Sequence, residues 1–294
     1  MLCVGDAATD LVVRLAGPVA RGGDTPARIE PRAGGSAANT AAWLARSGRP
    51  LEVHFAGRVG SDPWARFQER ELRRLGVHTH LARDRGRPTG LIVVLVEPGG
   101  ERTMLTDRGA GLALQPSDLP AELFAPGGHL HLSGYVLLDP GPRAAGREAI
   151  RRARARGMSI SVDAASAPLL AAAGAPAWFA WTGGAGLLFA NEAEAAVLRP
   201  EAPTPEAAAR ALAARYGEAL VKLGAAGAVW ASADGRLLRA PAAPADVLDT
   251  TGAGDAFAAG WLAARLHGAT PAESLDAALA LAAKAVQTVG ARPG

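Results

Sequence analysis

The chain has 294 residues, 49% apolar and 20% charged, which is the composition of a globular protein able to bury a large core. Its one cysteine excludes an intrachain disulfide and a cysteine-built zinc site. The pI near 9.6 accompanies a formal charge of only +3, because the basic residues other than Lys222 and Lys284 are arginines, which do not titrate in the accessible range.

Short β-branched runs alternate with alanine-rich helical patterns along the chain. Strands are predicted at Leu2–Val4 and Leu11–Leu15, then a helix at Ser36–Ser47, a strand at Glu52–Ala56 and a helix at Pro63–Leu75. Further strands follow at Leu91–Val96 and His129–Ser133, a helix at Pro142–Arg156 and strands at Ser159–Asp163 and Leu187–Ala190. The pattern closes with a helix at Pro205–Tyr216, strands at Leu220–Leu223 and Ala228–Ala231, and helices at Gly254–Leu266 and Pro271–Val289. Such alternation predicts an α/β fold in three layers, with helices on both faces of a mostly parallel sheet.

Two stretches, Leu11 to Arg32 and Arg83 to Thr106, are extended and punctuated by Gly and Pro without helices between strands. They read as an inserted β flap or as plain surface hairpins, and neither resembles a linker, so one domain over residues 1–294 is expected. Leu91 to Val96 is too short to cross a bilayer. No basic segment followed by an apolar core opens the chain, so a cytoplasmic location without a membrane partner is expected. The basic run Arg147 to Arg156 falls on one predicted helix and reads as a solvated face, so no nucleic-acid partner is expected. Cys3 lies in the first strand as a small apolar residue.

The most informative stretch is Asp249-Thr250-Thr251-Gly252-Ala253-Gly254-Asp255, which opens directly onto an apolar helix. Gly252 and Gly254 allow close approach to the main chain, and free N–H groups at the helix start form an anion site. Asp255 stands where it could orient an attacking hydroxyl, although an acidic residue at a helix start also serves as a simple cap. A second segment, Gly34-Gly35-Ser36-Ala37-Ala38-Asn39, leads two glycines into a helix with an amide one turn inside. Asn39 suits a sugar hydroxyl, or else bridges backbone.

Together these segments resemble the paired signatures of the ribokinase-like, or PfkB, carbohydrate kinases. The resemblance extends to Gly5-Asp6-Ala7-Ala8-Thr9-Asp10, Gly57-Arg58-Val59-Gly60-Ser61-Asp62, Asn191-Glu192-Ala193-Glu194, Val221-Lys222-Leu223-Gly224-Ala225-Ala226-Gly227 and Gly290-Ala291. It implies a ribokinase-like fold with the flap as a β lid over the sugar (about 11–32 and 83–106), often paired with a second lid in a homodimer. It implies an ATP-dependent kinase acting on a hydroxymethyl group of a sugar or sugar-like molecule, with a nucleoside kinase or a non-catalytic sugar binder as alternatives.

By the same resemblance, Asp255 orients or accepts the hydroxyl proton, and the N–H groups of Gly252, Ala253 and Gly254 stabilise the moving phosphoryl charge. Asp10, Gly34, Gly35 and Asn39 hold the substrate, and Arg108 senses an acidic sugar or makes an ion pair to Asp107 or another lid residue. Thr89 and Arg102 stand within reach of a substrate. Asn191, Lys222, Gly224, Gly227 and Leu279 belong to the nucleotide side, with Lys222 alternatively a surface cation. Glu194 faces a hydrated Mg²⁺, and Asp249 and Thr251 occupy positions that bind a monovalent cation such as K⁺. A helix N-terminus is expected to lower the pKa of Asp255, making it a weak base.

The chain departs from the family where Asp163 is followed by Ala-Ala-Ser, at Leu279 on the adenine side, and at Thr288. Histidines 54, 78, 80, 129, 131 and 267 show no zinc-ligand spacing. No Walker-type P-loop and no G-x-G-x-x-G after the first strand is present.

Overall fold

A computed structural model describes residues 1–98 and 101–294 of the chain. Its first half runs β1 (Leu2–Val4), β2 (Ala8–Leu15), β3 (Ala27–Gly34), α1 (Ser36–Ala45), β4 (His54–Gly60), α2 (Pro63–Arg74), β5 (His78–Asp84), β6 (Thr89–Val96), β7 (Arg102–Gly109) and β8 (His129–Ser133). There follow α3 (Tyr135–Leu138), α4 (Arg143–Ala155), β9 (Ser159–Asp163), α5 (Ala167–Ala173), α6 (Ala175–Trp181), β10 (Leu187–Asn191) and α7 (Glu192–Leu198). The chain ends with α8 (Pro205–Tyr216), β11 (Glu218–Lys222), β12 (Ala228–Ser232), β13 (Leu237–Ala240), α9 (Ala253–Leu266) and α10 (Pro271–Val286).

Among the described residues the larger sheet has nine strands in the order β13-β12-β11-β10-β9-β8-β1-β4-β5. Its neighbours pair in parallel except where β12 meets β11 and β13. The two-residue side-chain period of a strand explains the layers. Leu2 and Val4 of β1 enter one core, together with Leu130 and Leu132 of β8 and the buried faces of α4 and α8. Cys3, between them, enters the opposite core with Phe55, Trp43 of α1 and Trp261 of α9. Both faces are thereby dry, which is why the strands read as nearly continuous apolar runs.

The smaller sheet, β3-β2-β6-β7, is the expected lid. Gly5–Ala7 carry the chain out of the large sheet, so the two predicted opening strands separate, β1 into the core and β2, which begins at Ala8 rather than Leu11, into the lid. The apolar strand β6 is flanked by β2 and β7 and is not an edge, which removes the edge-pairing hazard that its composition suggests. Arg83 and Asp84 belong to β5 of the large sheet rather than to the lid, and Gly99 and Gly100 lie outside the described residues. Gly57–Gly60 form the end of β4 instead of a turn, and Asp62 caps α2 by accepting from the Ala65 N–H at 2.8 Å.

The strand order reverses around β1, so connections leave β1 and β8 in opposite directions and open a crevice at the carboxyl ends of the strands. Asp6 follows β1, Asp163 ends β9, Asn191 ends β10 and Lys222 ends β11. Asn191 and Lys222 are direct register partners. The basic residues Arg151 and Arg152 of α4 pair with Glu148 on their own helix. Among the described residues no helix is long and apolar enough to cross a membrane.

Beneath the crevice, His129 and His131 of β8 are buried and bond the hydroxyls of Ser159 and Ser161 on β9. Loss of water depresses their pKa values to about 3 and about 4. The unfolded chain, with imidazoles near pKa ~6.5, then binds protons first, so their contribution to stability is present above that value and is lost as pH falls through it. A His129→Gln/His131→Gln variant is expected to lose less melting temperature than the wild type between pH 7 and pH 4. Parallel melting curves across that range would remove this account.

Candidate active site

Asp255 lies in the first turn of α9, whose preceding residue Gly252 has φ 77°. A side chain there would meet the backbone of Ala291, so only glycine closes this turn against the C-terminal segment. The Ala253 N–H is turned back to the Thr250 carbonyl at 3.3 Å. Among the described residues the N–H groups of Gly252, Gly254 and Asp255 have no protein acceptor, so the free donor set is shifted one residue from the expected one.

The Asp255 carboxylate accepts from Ser36 Oγ and from Asn39 Nδ2, each at 2.9 Å. Both donors come from α1, which starts at Gly35 with φ 95° because a side chain there would run into the Asp6 and Ala7 backbone. The two glycine-led helix starts, some 220 residues apart in sequence, are thus locked face to face. The amide orientation of Asn39 is itself determined. Its Oδ1 accepts from Arg292 Nε at 3.1 Å, while Arg292 Nη2 donates to the Gly34 carbonyl at 2.6 Å and to Gln68 Oε1 at 2.7 Å. Arg292 is buried, and its Nη1 has no partner among the described residues. Burial pulls its pKa down to about 10 against the pull of Asp10.

Burial pushes the Asp255 pKa up to about 7, and the charge of Asp163 adds to the rise. The Asn39 and Ser36 hydrogen bonds and the Lys222 charge act the other way without cancelling it. The expected lowering by the helix N-terminus is therefore overturned: desolvation outweighs the dipole. Asp255 keeps some exposed area and remains within reach of a ligand.

Lys222 Nζ sits 2.8 Å from Asp163 Oδ2 and lies directly against Gly254. It is not a surface cation. Burial alone would lower its pKa, but the Asp163 and Glu194 charges raise it. Asp163 Oδ1 also accepts from the N–H of Ala165, which has φ 70° and is the single non-glycine residue with positive φ among the described ones. Asn191 and Glu194 form a reciprocal cap of α7 rather than facing outward together. Asn191 Oδ1 accepts from the Glu194 N–H at 2.8 Å, and Glu194 accepts from the Asn191 N–H at 2.8 Å and from Nδ2 at 2.9 Å. Glu194 is buried, and burial with the Asp163 charge raises its pKa.

On the lid side, the Asp10 carboxylate is buried against Gly34 and accepts no hydrogen bond from a described residue. Burial lifts its pKa to about 7, with Arg292 opposing. It lines a cavity of about 220 Å³ with Val94, Arg102, Asp249, Thr251 and Gly290. Arg108 does not pair with Asp107, and its side chain is largely covered. It stacks 3.7 Å from the Tyr135 ring, with Asp139 at 3.5 Å and Asp6 at 3.8 Å. Arg102 Nη1 contacts Asp249 Oδ1 and Thr251 Oγ1, each at 2.7 Å.

Three residues expected at the ligand have partners within the fold. Thr89 is buried, donating to Asp62 Oδ1 and accepting from the Gly60 N–H. Gly227 is small because a Cβ would strike Ala240 and Pro241, and Leu279 is packed into the core that holds Trp261. Gly224 stays in an exposed turn with open space above it.

The pfkB family carbohydrate kinase profile matches residues 1–294. A fructokinase from Klebsiella pneumoniae is 35% identical over 280 residues, covering 88% of this chain and 82% of that protein. The crystal structure of an adenosine kinase from Sinorhizobium meliloti superposes with a TM-score of 0.88 at 27% identity, covering 99% of this chain and 95% of that one. The Salmonella enterica aminoimidazole riboside kinase, solved with aminoimidazole riboside and an ATP analogue, gives 0.78 at 28% identity, with 99% and 94% covered. The chain belongs to the pfkB family of carbohydrate kinases and is a phosphotransferase that acts on a hydroxyl group.

A carboxyl with a raised pKa favours the folded state at low pH and loses that contribution as pH rises through about 7. Asp255→Asn is therefore expected to melt higher than the wild type at pH 8, with the gap narrowing towards pH 5. A variant that melts lower at pH 8 would show that the carboxylate stabilises the turn instead.

Proposed function

We propose that this sugar kinase transfers the γ-phosphoryl group of ATP to a hydroxymethyl group of an uncharged sugar, with Asp255 as the base. The observation that carries the reading is the Asp255 carboxylate, aligned by Ser36 and Asn39 beside a turn with free N–H groups. Phosphoryl transfer needs alignment and neutralisation of spread charge more than covalent help. A carboxylate with pKa near 7 is matched to taking a proton near neutrality, and the same burial that raises its pKa brings it there.

The N–H groups of Gly252, Gly254 and Asp255 and the Lys222 ammonium against Gly254 face the developing phosphoryl charge as a preorganised set. Asn191, Lys222 and the open turn at Gly224 flank the nucleotide side. Glu194 suits a hydrated Mg²⁺, since hard oxygens fit that ion and each carboxylate oxygen keeps a lone pair beyond its cap bond. When bound, Mg²⁺ neutralises phosphate charge. Asp10, with its unused acceptors, and Asn39 take acceptor hydroxyls, while Gly34 and Gly35 leave room at the main chain. Arg292 holds the Asn39 amide in the one orientation that donates to Asp255.

The acceptor is read as uncharged because Arg108 already faces Asp6 and Asp139, and Asp10 adds a third acidic group to this side. The fructokinase relative points to a hexose. A nucleoside is the second reading, favoured by the adenosine kinase likeness. Among fructose, ribose, 2-keto-3-deoxygluconate, adenosine and pseudouridine, a neutral sugar is expected to give the highest kcat/KM for ADP release. Preference for the sugar acid would sink the charge argument, and tight binding without turnover of any member would sink the kinase reading.

Asp255→Asn should lower kcat by about 10²–10⁴-fold with nucleotide affinity nearly unchanged. The wild-type kcat/KM should rise with pH along a limb near pH 7 that the variant lacks. Near-wild-type turnover in a folded variant would overturn the assignment.

Assembly is read from the lid. Ile29 of β3 and Met104 and Leu105 of β7 are 60%, 52% and 55% exposed, so both edge strands of the lid carry uncovered apolar side chains. Two lids pairing in a homodimer would cover them. Light scattering at micromolar concentration is expected to give twice the chain mass, and a Met104→Lys/Leu105→Lys variant a monomer. A monomeric wild type would remove the proposal.

A further inference from the structure

Asp249 begins the turn that ends at Asp255, and both of its carboxylate oxygens are engaged. Oδ1 accepts from the Thr251 N–H and from Arg102 Nη1, each at 2.7 Å, and Oδ2 accepts from the Gly290 N–H at 3.0 Å. The same Arg102 nitrogen lies 2.7 Å from Thr251 Oγ1 and 3.3 Å from Thr250 Oγ1. One cationic nitrogen thus sits among three oxygens of consecutive residues, where the family resemblance leads one to expect a dissociable monovalent cation. The donor set does not fit such an ion in addition: it would share these oxygens with a guanidinium nitrogen, and like charges at that separation repel.

Arg102 is the first residue of β7 and its side chain is largely covered, so this cation belongs to the lid. The turn it grips is attached on its far side to the C-terminal segment, through Asp249 to Gly290 and through Gly252 packed on Ala291. Thr250 and Thr251 are therefore held between lid and C-terminus, immediately before the free N–H groups.

We propose that the Arg102 guanidinium is a tethered cation that replaces a dissociable monovalent ion, neutralising Asp249 and setting the anion-binding turn when the lid is in place. The proposal rests on the phosphoryl-transfer reading of the Gly252–Asp255 turn. An internal cation costs less to order than an ion drawn from solution, and it makes the competence of the turn depend on the lid.

The test exchanges K⁺ for tetramethylammonium at constant ionic strength and reads both ADP release and melting temperature. Wild-type kcat/KM is expected to change by less than about twofold, and its melting temperature not at all. Arg102→Met should lose about tenfold or more in kcat/KM in tetramethylammonium and recover part of it on addition of guanidinium or K⁺. Its melting temperature should rise by about 2–4 °C in K⁺, since an ion that binds only the folded state stabilises it. Arg102→Lys, which keeps the charge, should remain indifferent to K⁺. A wild type that needs K⁺ for turnover, or is stabilised by it as much as Arg102→Met, overturns the proposal, as does an Arg102→Met enzyme at full rate in tetramethylammonium. If no acceptor is phosphorylated in any salt, the kinase reading fails, and the melting arm still decides the fate of the cation proposal.

Discussion

The Asp255 carboxylate is taken out of water without a cation touching it. Its contacts are a hydroxyl and an amide, both neutral donors, while Lys222 is held back on Asp163 and Arg292 stands behind Asn39. A direct ion pair would have held the carboxyl well below the ordinary range and left it a poor base. The surrounding charges are close enough to make a buried acid tolerable and too far to fix it as an anion, so the standoff of Lys222 and Arg292 governs the protonation of one carboxyl.

That placement follows from topology. The crevice at the strand-order reversal collects strand ends that are far apart in sequence, with Asp163 and Lys222 separated by 59 residues and Arg292 and Asn39 by 253. A parallel sheet delivers all its strand ends to one edge, and helix N-termini point there as well. The last residues of the chain then close the crevice from behind. Arg292 reaches the Gly34 carbonyl and Gln68 within the core of the fold, and the Ala291 carbonyl accepts from Trp43 Nε1 at 2.9 Å. Truncating the C-terminal turn would therefore disturb Asn39 together with the buried Trp43 and Gln68.

What was legible in the sequence is what glycine and period-two patterns report, because both are local. Gly35 and Gly252 mark turns no other residue closes, and the apolar runs of β1, β8, β9 and β10 stand where the pattern puts them. Strands β3, β5, β7 and β13 escaped because they lie at sheet edges and carry Pro31, His78, His80, Arg102, Asp107 and Arg239, which no apolar alternation betrays. Gly227 and Leu279 each have a packing neighbour that is invisible in one dimension. Arg292 and the Asp163–Lys222 pair left no local signal, since their meaning is a distance between remote segments. The protonation of Asp255 was misjudged for the same reason. The dipole of its own helix can be read from the sequence, whereas the atoms that exclude water from it belong to α1 and the strand ends.

The lid completes the electrostatics on the acceptor side. Its strand β7 begins with Arg102 on Asp249 and ends near Arg108, which leans on Tyr135 between Asp139 and Asp6. One strand thus brings two guanidinium groups over a floor of carboxylates, and both are engaged before any acceptor arrives. A ligand that carried its own anion would have to compete for them with Asp249, Asp6 and Asp139. The lid's Arg102 and Arg108 therefore act first on the protein's own carboxylates.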